Sequence, residues 1–150
     1  MSAAADMETV RKMKRILCFG DSNTYGYDPR SYLGGRLPET VRWTGLLNAG
    51  PDWDIRNAGQ NGREIPHTAA AYGELDSLLL RHAPLDGLVV MLGTNDLFCM
   101  FDPGAEAIAA RMALLLSHVL RHPAVVRDRT KVLLAAPPPV DLHGDTAERR

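Results

Sequence analysis

The sequence predicts a single α/β domain in which helices cover both faces of a parallel sheet. Short apolar runs alternate along the 150 residues with longer segments of helical periodicity. Strands that alternate with helices form parallel sheets with right-handed crossovers. Hydrophobic residues make up 45% of the chain and charged residues 23%, which is ordinary for a globular domain. We therefore expect a three-layer α/β/α architecture around one core.

Four apolar segments predict the strands of this sheet. The second is the weakest, whereas the third is apolar almost throughout, as expected for a strand covered on both faces. Three consecutive prolines, Pro137 to Pro139, end the fourth segment, because proline cannot continue a central ladder. The predicted strands are residues 15–20, 53–57, 87–92 and 131–136.

Three segments predict helices, each bounded by a typical start or stop signal. Gly50-Pro51 closes the first, Pro84 stops the second and Asp102-Pro103-Gly104 opens the third. These helices are residues 41–49, 68–82 and 105–121. Residues 21–38 are instead loop-rich, and a loop of this length often belongs to a site. The third helix carries an apolar stripe that we interpret as core: Ile108, Met112, Leu115, Leu116 and Val119.

Three residues whose groups could take part in catalysis follow the first three predicted strands in turn. Ser22 comes after the first strand behind Gly20-Asp21, Gly62 comes after the second, and Asn95 comes after the third. Parallel strands end at one edge of the sheet, so these residues can converge there. Serine supplies an oxygen nucleophile, a glycine N–H can approach a substrate closely, and an asparagine amide can donate to an oxyanion. Taken alone, Gly20-Asp21-Ser22 also fits a turn with Ser22 as a helix cap.

The order of these segments resembles the SGNH (GDSL) hydrolases, named for Ser, Gly, Asn and His. Residues 15–22, 41–45, 91–96 and 131–139 are most similar to the arylesterase/acyltransferase branch typified by a mycobacterial enzyme. The resemblance implies a flavodoxin-like fold and hydrolysis of small-acyl aryl or alkyl esters without a cofactor, with acyl transfer as a further activity. It implies that Ser22 is the nucleophile. The oxyanion hole would comprise the Ser22 and Gly62 N–H groups and the Asn95 amide.

The chain departs from the family pattern at the general base. The family's histidine lies in an Asp-x-x-His segment after a further strand, and the 150 residues contain no such segment. Asp141-Leu142-His143 has the wrong spacing and lies too early, and the other histidines suit surface or capping positions: His67, His82, His118 and His122. We expect residues 14–150 to be a hydrolase domain that is incomplete at its C-terminus. It would lack the last strand and closing helix, expose the fourth strand as an edge, and be weakly active or inactive.

Other functions and features stay open at this point. The chain could be a short relative that binds acyl compounds or a partner without turnover, or an enzyme that uses an unfamiliar base. Aromatic residues near the serine could wall the substrate pocket, with ordinary packing as the alternative: Tyr25, Tyr27 and Trp43. Relatives of this branch form oligomers, so a homo-oligomer is a further expectation.

Composition bears on partners and location. A net charge of −1 gives no electrostatic case for nucleic acid or an anionic membrane, and no apolar run approaches the roughly 20 residues of a membrane span. Residues 1–13 lack the apolar centre of a signal peptide, which predicts a disordered extension and a cytoplasmic location. Cys18 and Cys99 make no disulfide framework, and no residues have metal-ligand spacing. A small ester is thus the expected partner.

Overall fold

A parallel four-stranded sheet forms the centre of the computed structural model, which describes residues 13–99 and 104–139. The strands are β1 (Lys14–Gly20), β2 (Trp53–Gly59), β3 (Gly87–Met91) and β4 (Lys131–Leu134). They lie in the order β2-β1-β3-β4, and every pairing is parallel. The predicted α/β class and parallel sheet are confirmed, although β2 is longer and β4 shorter than expected.

Six helices and one short 3₁₀ turn, Glu39–Val41, connect the strands within the described ranges. The long helices agree with the prediction, whereas α2 begins two residues later than expected because the 3₁₀ turn precedes it. Three short helices were not predicted: α1, α4 and α6. The helices are α1 (Ser22–Tyr25), α2 (Trp43–Asn48), α3 (Ala69–His82), α4 (Thr94–Cys99), α5 (Ala105–Arg121) and α6 (Pro123–Asp128).

The core lies between one face of the sheet and the two long helices. β1 and β3 contribute alternate side chains to this face, and α3 and α5 contribute residues spaced four apart. Burial of each such side chain stabilises the fold by about 1.5–3 kcal/mol. Within the predicted α5 stripe, four residues belong to or pack against the core and Leu116 is only partly buried. The central members are Leu17, Phe19, Leu75, Leu79, Leu88, Val90, Leu115 and Val119.

The opposite face of the sheet is covered mainly along β2. α1 and α2 pack there, while a groove of about 570 Å³ runs over β1, β3 and β4, with Ile16, Val89 and Leu133 in its lining. Among the described residues, no strand pairs with the outer edge of β4. Leu133 is 60% exposed and Leu134 47%, as predicted for an edge strand, whereas Val132 packs against the core. Nowhere in the described ranges is a helix long and apolar enough to cross a membrane.

Candidate functional site

Ser22 is the first residue of α1 and directly follows the turn that leaves β1. The cap of this helix is Asp21, whose Oδ1 accepts a hydrogen bond of 2.9 Å from the Asn23 N–H. The interpretation of Ser22 as the helix cap is therefore wrong, because the cap lies one residue earlier, at Asp21. Ser22 is partly buried, and its side chain is not needed as the N-terminal cap of the helix. Ser22 thus lies at the carboxyl edge of the sheet, where α/β folds bind ligands.

Gly62 lies in the loop that follows β2, at the same edge. Its φ of +76° falls in the left-handed region, which glycine adopts at little cost. The loop is attached to the end of β1, since the Gln60 N–H donates to the Gly20 carbonyl at 3.1 Å. The loop thus approaches the residue that lies two positions before Ser22.

Asn95 is the second residue of α4, just past the end of β3. Its Nδ2 donates to the Arg63 carbonyl at 2.9 Å, so the side chain reaches the residue next to Gly62. A side-chain amide carries two hydrogens, and this bond uses one of them. Among the described residues, no hydrogen-bond partner is found for the second hydrogen. The structure therefore connects the Asn95 side chain to the Gly62 loop, and both lie at the sheet edge that carries Ser22.

Arg63 is a component of this edge that the sequence did not single out. Its Nη1 donates to the Gly20 carbonyl at 2.9 Å and also to the Ala58 carbonyl. The side chain is 8% exposed, and its guanidinium lies 4.3 Å from the centre of the Phe19 ring. The residue follows Gly62 directly in the predicted motif, but nothing local reveals that its side chain folds back onto β1.

A second buried group, Asp96, fixes the position of α4. Its Oδ2 accepts from the Ile65 N–H at 3.0 Å, and its Oδ1 pairs with Arg111 at 3.1 Å. Arg111 also reaches Glu64 at 3.2 Å. Asn95 precedes Asp96 in the chain, so these contacts hold the amide relative to the Gly62 loop.

The electrostatic environment of this edge disfavours a charged Asp21. Burial raises the pKa of the Asp21 carboxyl above its usual range, and the negative charge of Asp96 raises it further. Hydrogen bonds around Asn23 lower the pKa again, but less than burial raises it. The Asp21 Oδ2 is buried and has no hydrogen-bond partner among the described residues. The role that these contacts support for Asp21 is that of a helix cap with a raised pKa.

The three aromatic residues proposed as pocket walls lie in or near α1. The Trp43 indole N–H donates to the Asn23 carbonyl at 3.2 Å, and the Arg36 guanidinium lies 4.4 Å from the centre of the Tyr25 ring. Tyr27 is 39% exposed and forms an isolated bridge with Arg36. Tyr25 is the last residue of α1, Tyr27 follows two residues later, and Trp43 bonds to α1 from the start of α2. The role of these residues toward a substrate stays a prediction.

The described histidines lie on other parts of the molecule or serve local structure. His118 Nε2 is 2.6 Å from Asp76 Oδ1, and His122 caps α6 through an Nδ1 that accepts from the Ala124 N–H. His82 lies in the last turn of α3, as predicted, and His67 Nδ1 is 2.9 Å from the Ile65 carbonyl oxygen. Asp141-Leu142-His143 lies outside the described residues. No group of three metal-ligating side chains occurs within residues 13–99 and 104–139.

A family model and several solved structures match this chain. Residues 18–150 match the model of the GDSL-like lipase/acylhydrolase family. The chain belongs to this family. Among solved structures, a carbohydrate acetylesterase family member from Sinorhizobium meliloti is 33% identical, with a TM-score of 0.73 over 90% of this chain and 68% of its own. The inhibitor-bound M. smegmatis aryl esterase is 34% identical, with a TM-score of 0.72 over 85% of this chain and 65% of its own.

The extent of these matches sets what the GDSL-like chain shares with them. It spans about two thirds of the length of these solved structures, 65% of the aryl esterase and 68% of the acetylesterase. No curated protein matches the chain. The range matched by the family model, residues 18–150, includes Ser22, the Gly62 loop and Asn95.

Proposed function

We propose that this GDSL-like chain carries the nucleophile and oxyanion site of a serine esterase that acts on small-acyl carboxylic esters. The observation that carries the proposal is the link between Asn95 Nδ2 and the Arg63 carbonyl, at the sheet edge where Ser22 begins α1. Two similar structures bear the names of an aryl esterase and a carbohydrate acetylesterase, which supports an acetyl group on the acyl side and an aryl or sugar alcohol as leaving group.

In the proposed reaction the Ser22 Oγ attacks the acyl carbon of the ester. The carbonyl π electrons move to oxygen, and the Ser22 and Gly62 N–H groups with the Asn95 amide stabilise the resulting oxyanion. Collapse of this intermediate breaks the bond to the alcohol, which leaves with a proton. Water then attacks the acyl-Ser22 ester and releases the acid, and an alcohol acceptor in place of water gives acyl transfer. No cofactor takes part in these steps.

The Ser22 proton needs an acceptor in the first step. The 150 residues contain no Asp-x-x-His segment, so we expect this chain alone to hydrolyse p-nitrophenyl acetate slowly, in a reaction independent of Ser22. Loss of a triad base costs roughly 10⁴–10⁶ in rate. Imidazole in the buffer can supply the base, and the rate difference between the chain and Ser22→Ala removes hydrolysis by imidazole itself.

The test of the proposed function is this Ser22-dependent, imidazole-dependent rate. We expect it to be measurable in the unaltered chain and to fall by about 10²–10³ in Asn95→Ala, as loss of one oxyanion donor does. Equal rates in the chain and in Ser22→Ala would reject the proposal. Rapid turnover without imidazole, lost in both Ser22→Ala and His143→Ala, would instead assign His143 as the base.

The second candidate function is binding of acyl compounds without turnover. The sequence feature that favours it is the lack of Asp-x-x-His among the 150 residues. Isothermal titration with acetate and with p-nitrophenol distinguishes the two functions. Ligand binding that persists in Ser22→Ala, without any Ser22-dependent turnover in imidazole, supports the binding protein.

A further inference from the structure

We propose that Arg63 is the positioning residue of the oxyanion site. Its side chain and its backbone together connect the ends of β1 and β2 to Asn95. The effect on catalysis rests on the proposed esterase function, whereas the effect on the position of the Asn95 amide does not. The inference concerns a residue that contacts neither Ser22 nor a reacting atom, and therefore acts through its neighbours.

The guanidinium of Arg63 holds the ends of β1 and β2 next to each other. Nη1 donates to the Gly20 carbonyl at 2.9 Å and to the Ala58 carbonyl. Gly20 is the last residue of β1, and Ala58 is the last but one of β2. Gly20 lies two residues before Ser22, and Ala58 lies four residues before Gly62. One planar group thus sets the spacing between the strand that carries the nucleophile and the loop that carries the glycine.

The far side of the guanidinium is held by acceptors of its own. Nη2 donates to Gln60 Oε1 at 2.9 Å and to Glu74 Oε1 at 2.8 Å, and the Phe19 ring packs against the charge. A buried cation is costly unless it is paired and hydrogen-bonded, and this one is both. These contacts use both terminal nitrogens of a side chain that is only 8% exposed.

The backbone of Arg63 completes the connection. Its carbonyl accepts from Asn95 Nδ2 at 2.9 Å, and its N–H donates to the Gln60 carbonyl at 3.2 Å in the turn that contains Gly62. A change in the position of the guanidinium therefore moves the acceptor of the Asn95 amide. Lysine cannot substitute, because a point ammonium on a flexible stem lacks the rigid fork that spans carbonyls and carboxylate together.

A matched control is available at the other end of the sheet. Arg15 is also partly buried, donates to Asp54 Oδ2 at 2.8 Å and to the His82 carbonyl at 3.4 Å, and lies near the start of β1. Arg15→Lys removes a comparable arginine network far from the catalytic edge. A merely structural role predicts that Arg63→Lys and Arg15→Lys behave alike.

The experiment compares these two variants by kinetics and by NMR. In imidazole, we expect Arg63→Lys to lower the Ser22-dependent kcat by about 10–100-fold with KM changed less than about twofold, since small misplacements of catalytic groups cost this much. Arg15→Lys should keep kcat. The ¹⁵N-resolved side-chain amide signals of Asn95, assigned with Asn95→Ala, should shift in Arg63→Lys and stay in place in Arg15→Lys.

The outcomes separate the two proposals. If the unaltered chain shows no Ser22-dependent turnover, the esterase proposal fails and the Asn95 signals alone decide the role of Arg63. Unmoved Asn95 signals, or an unchanged kcat, in folded Arg63→Lys would overturn the inference. If Arg63→Lys does not fold, Glu74→Gln loosens the guanidinium from a half-exposed position. In that case Asn95 signals that match those of the unaltered chain overturn it.

Discussion

At the scale of single residues, Gly62 combines an unusual backbone with a proposed role as a donor. Its φ is +76°, and a Cβ added there would meet no atom within 4 Å, so only the backbone conformation opposes a side chain. Gly62→Ala should lower the free energy of unfolding by about 1–2 kcal/mol. Gly73→Ala is the control, because Gly73 lies in α3 with equally open space, and this change should stabilise by roughly 0.5–1 kcal/mol. Urea unfolding of both variants checks the prediction, and equal shifts would contradict it.

Asp21 should make stability depend on pH in an unusual direction. Burial, followed by the charge of Asp96, raises the pKa of Asp21 in the folded chain, so the folded state holds this proton more tightly than the unfolded state. The stability that Asp21 contributes is therefore fully present below the unfolded pKa of about 3.9, and it is lost as pH rises through the higher folded pKa. Asp21→Asn keeps the capping oxygen and does not titrate. Its stability relative to the unaltered chain should increase from pH 4 to pH 7.

Asp54→Asn is the control of opposite sign for this pH dependence. Burial raises the pKa of Asp54, but the hydrogen bonds from Arg15 and Arg56 outweigh it and the pKa is lowered overall. The stability that Asp54 contributes is thus present above the unfolded pKa and is lost as pH falls. Urea midpoints at several pH values measure both variants. Parallel pH profiles for the two would show that Asp21 does not titrate as expected.

At the scale of elements, the sequence was informative where the pattern is local and long. The strands and the helices α3 and α5 follow from continuous apolar runs and from periodicity over many residues. α1, α4 and α6 have only four to six residues each, which is too short for a helical period to emerge. The Pro123 at the start of α6 is a signal that could have found that helix.

The residues of the site likewise divide into those that a local sequence pattern predicts and those that it does not. Ser22, Gly62 and Asn95 stand out because each lies within four residues of a strand end, so their placement at one edge needs only the parallel topology. Arg63 bonds to Gly20 across 43 residues, and Arg111 bonds to Glu64 across 47. No local pattern encodes such pairs, because they depend on how α5 and the β2 loop pack in three dimensions.

The close packing of α1 on β2 gives a prediction at this scale. A Cβ added at Gly59 would lie 2.1 Å from the backbone nitrogen of Tyr25, so Gly59→Ala forces α1 away from the strand. We expect a loss of about 1–3 kcal/mol in the free energy of unfolding, as for other overpacked sites. Gly50→Ala is the control, since its added Cβ would meet only the Trp53 ring at 3.5 Å. Urea unfolding should separate the variants, and equal stabilities would mean that α1 moves without cost.

At the scale of the whole molecule, the described residues cover the two faces of the sheet unequally. α3 and α5 bury one face, while the 570 Å³ groove and the outer edge of β4 present apolar side chains on the other. An edge strand with exposed leucines is a template for pairing with another chain. The groove and the edge of β4 therefore form an apolar surface whose exposure to water is unfavourable.

This surface should make the 150-residue chain self-associate or bind a hydrophobic dye, and Leu133 should be central to both. Leu133 is 60% exposed on β4 within the groove, and Leu133→Lys places a charge on the open edge, which discourages pairing. Leu80→Lys is the matched control, because Leu80 is 61% exposed on α3 outside this groove. Sedimentation velocity and dye fluorescence should show less association and less binding in Leu133→Lys alone. A monodisperse chain that binds no dye and unfolds cooperatively would contradict this prediction.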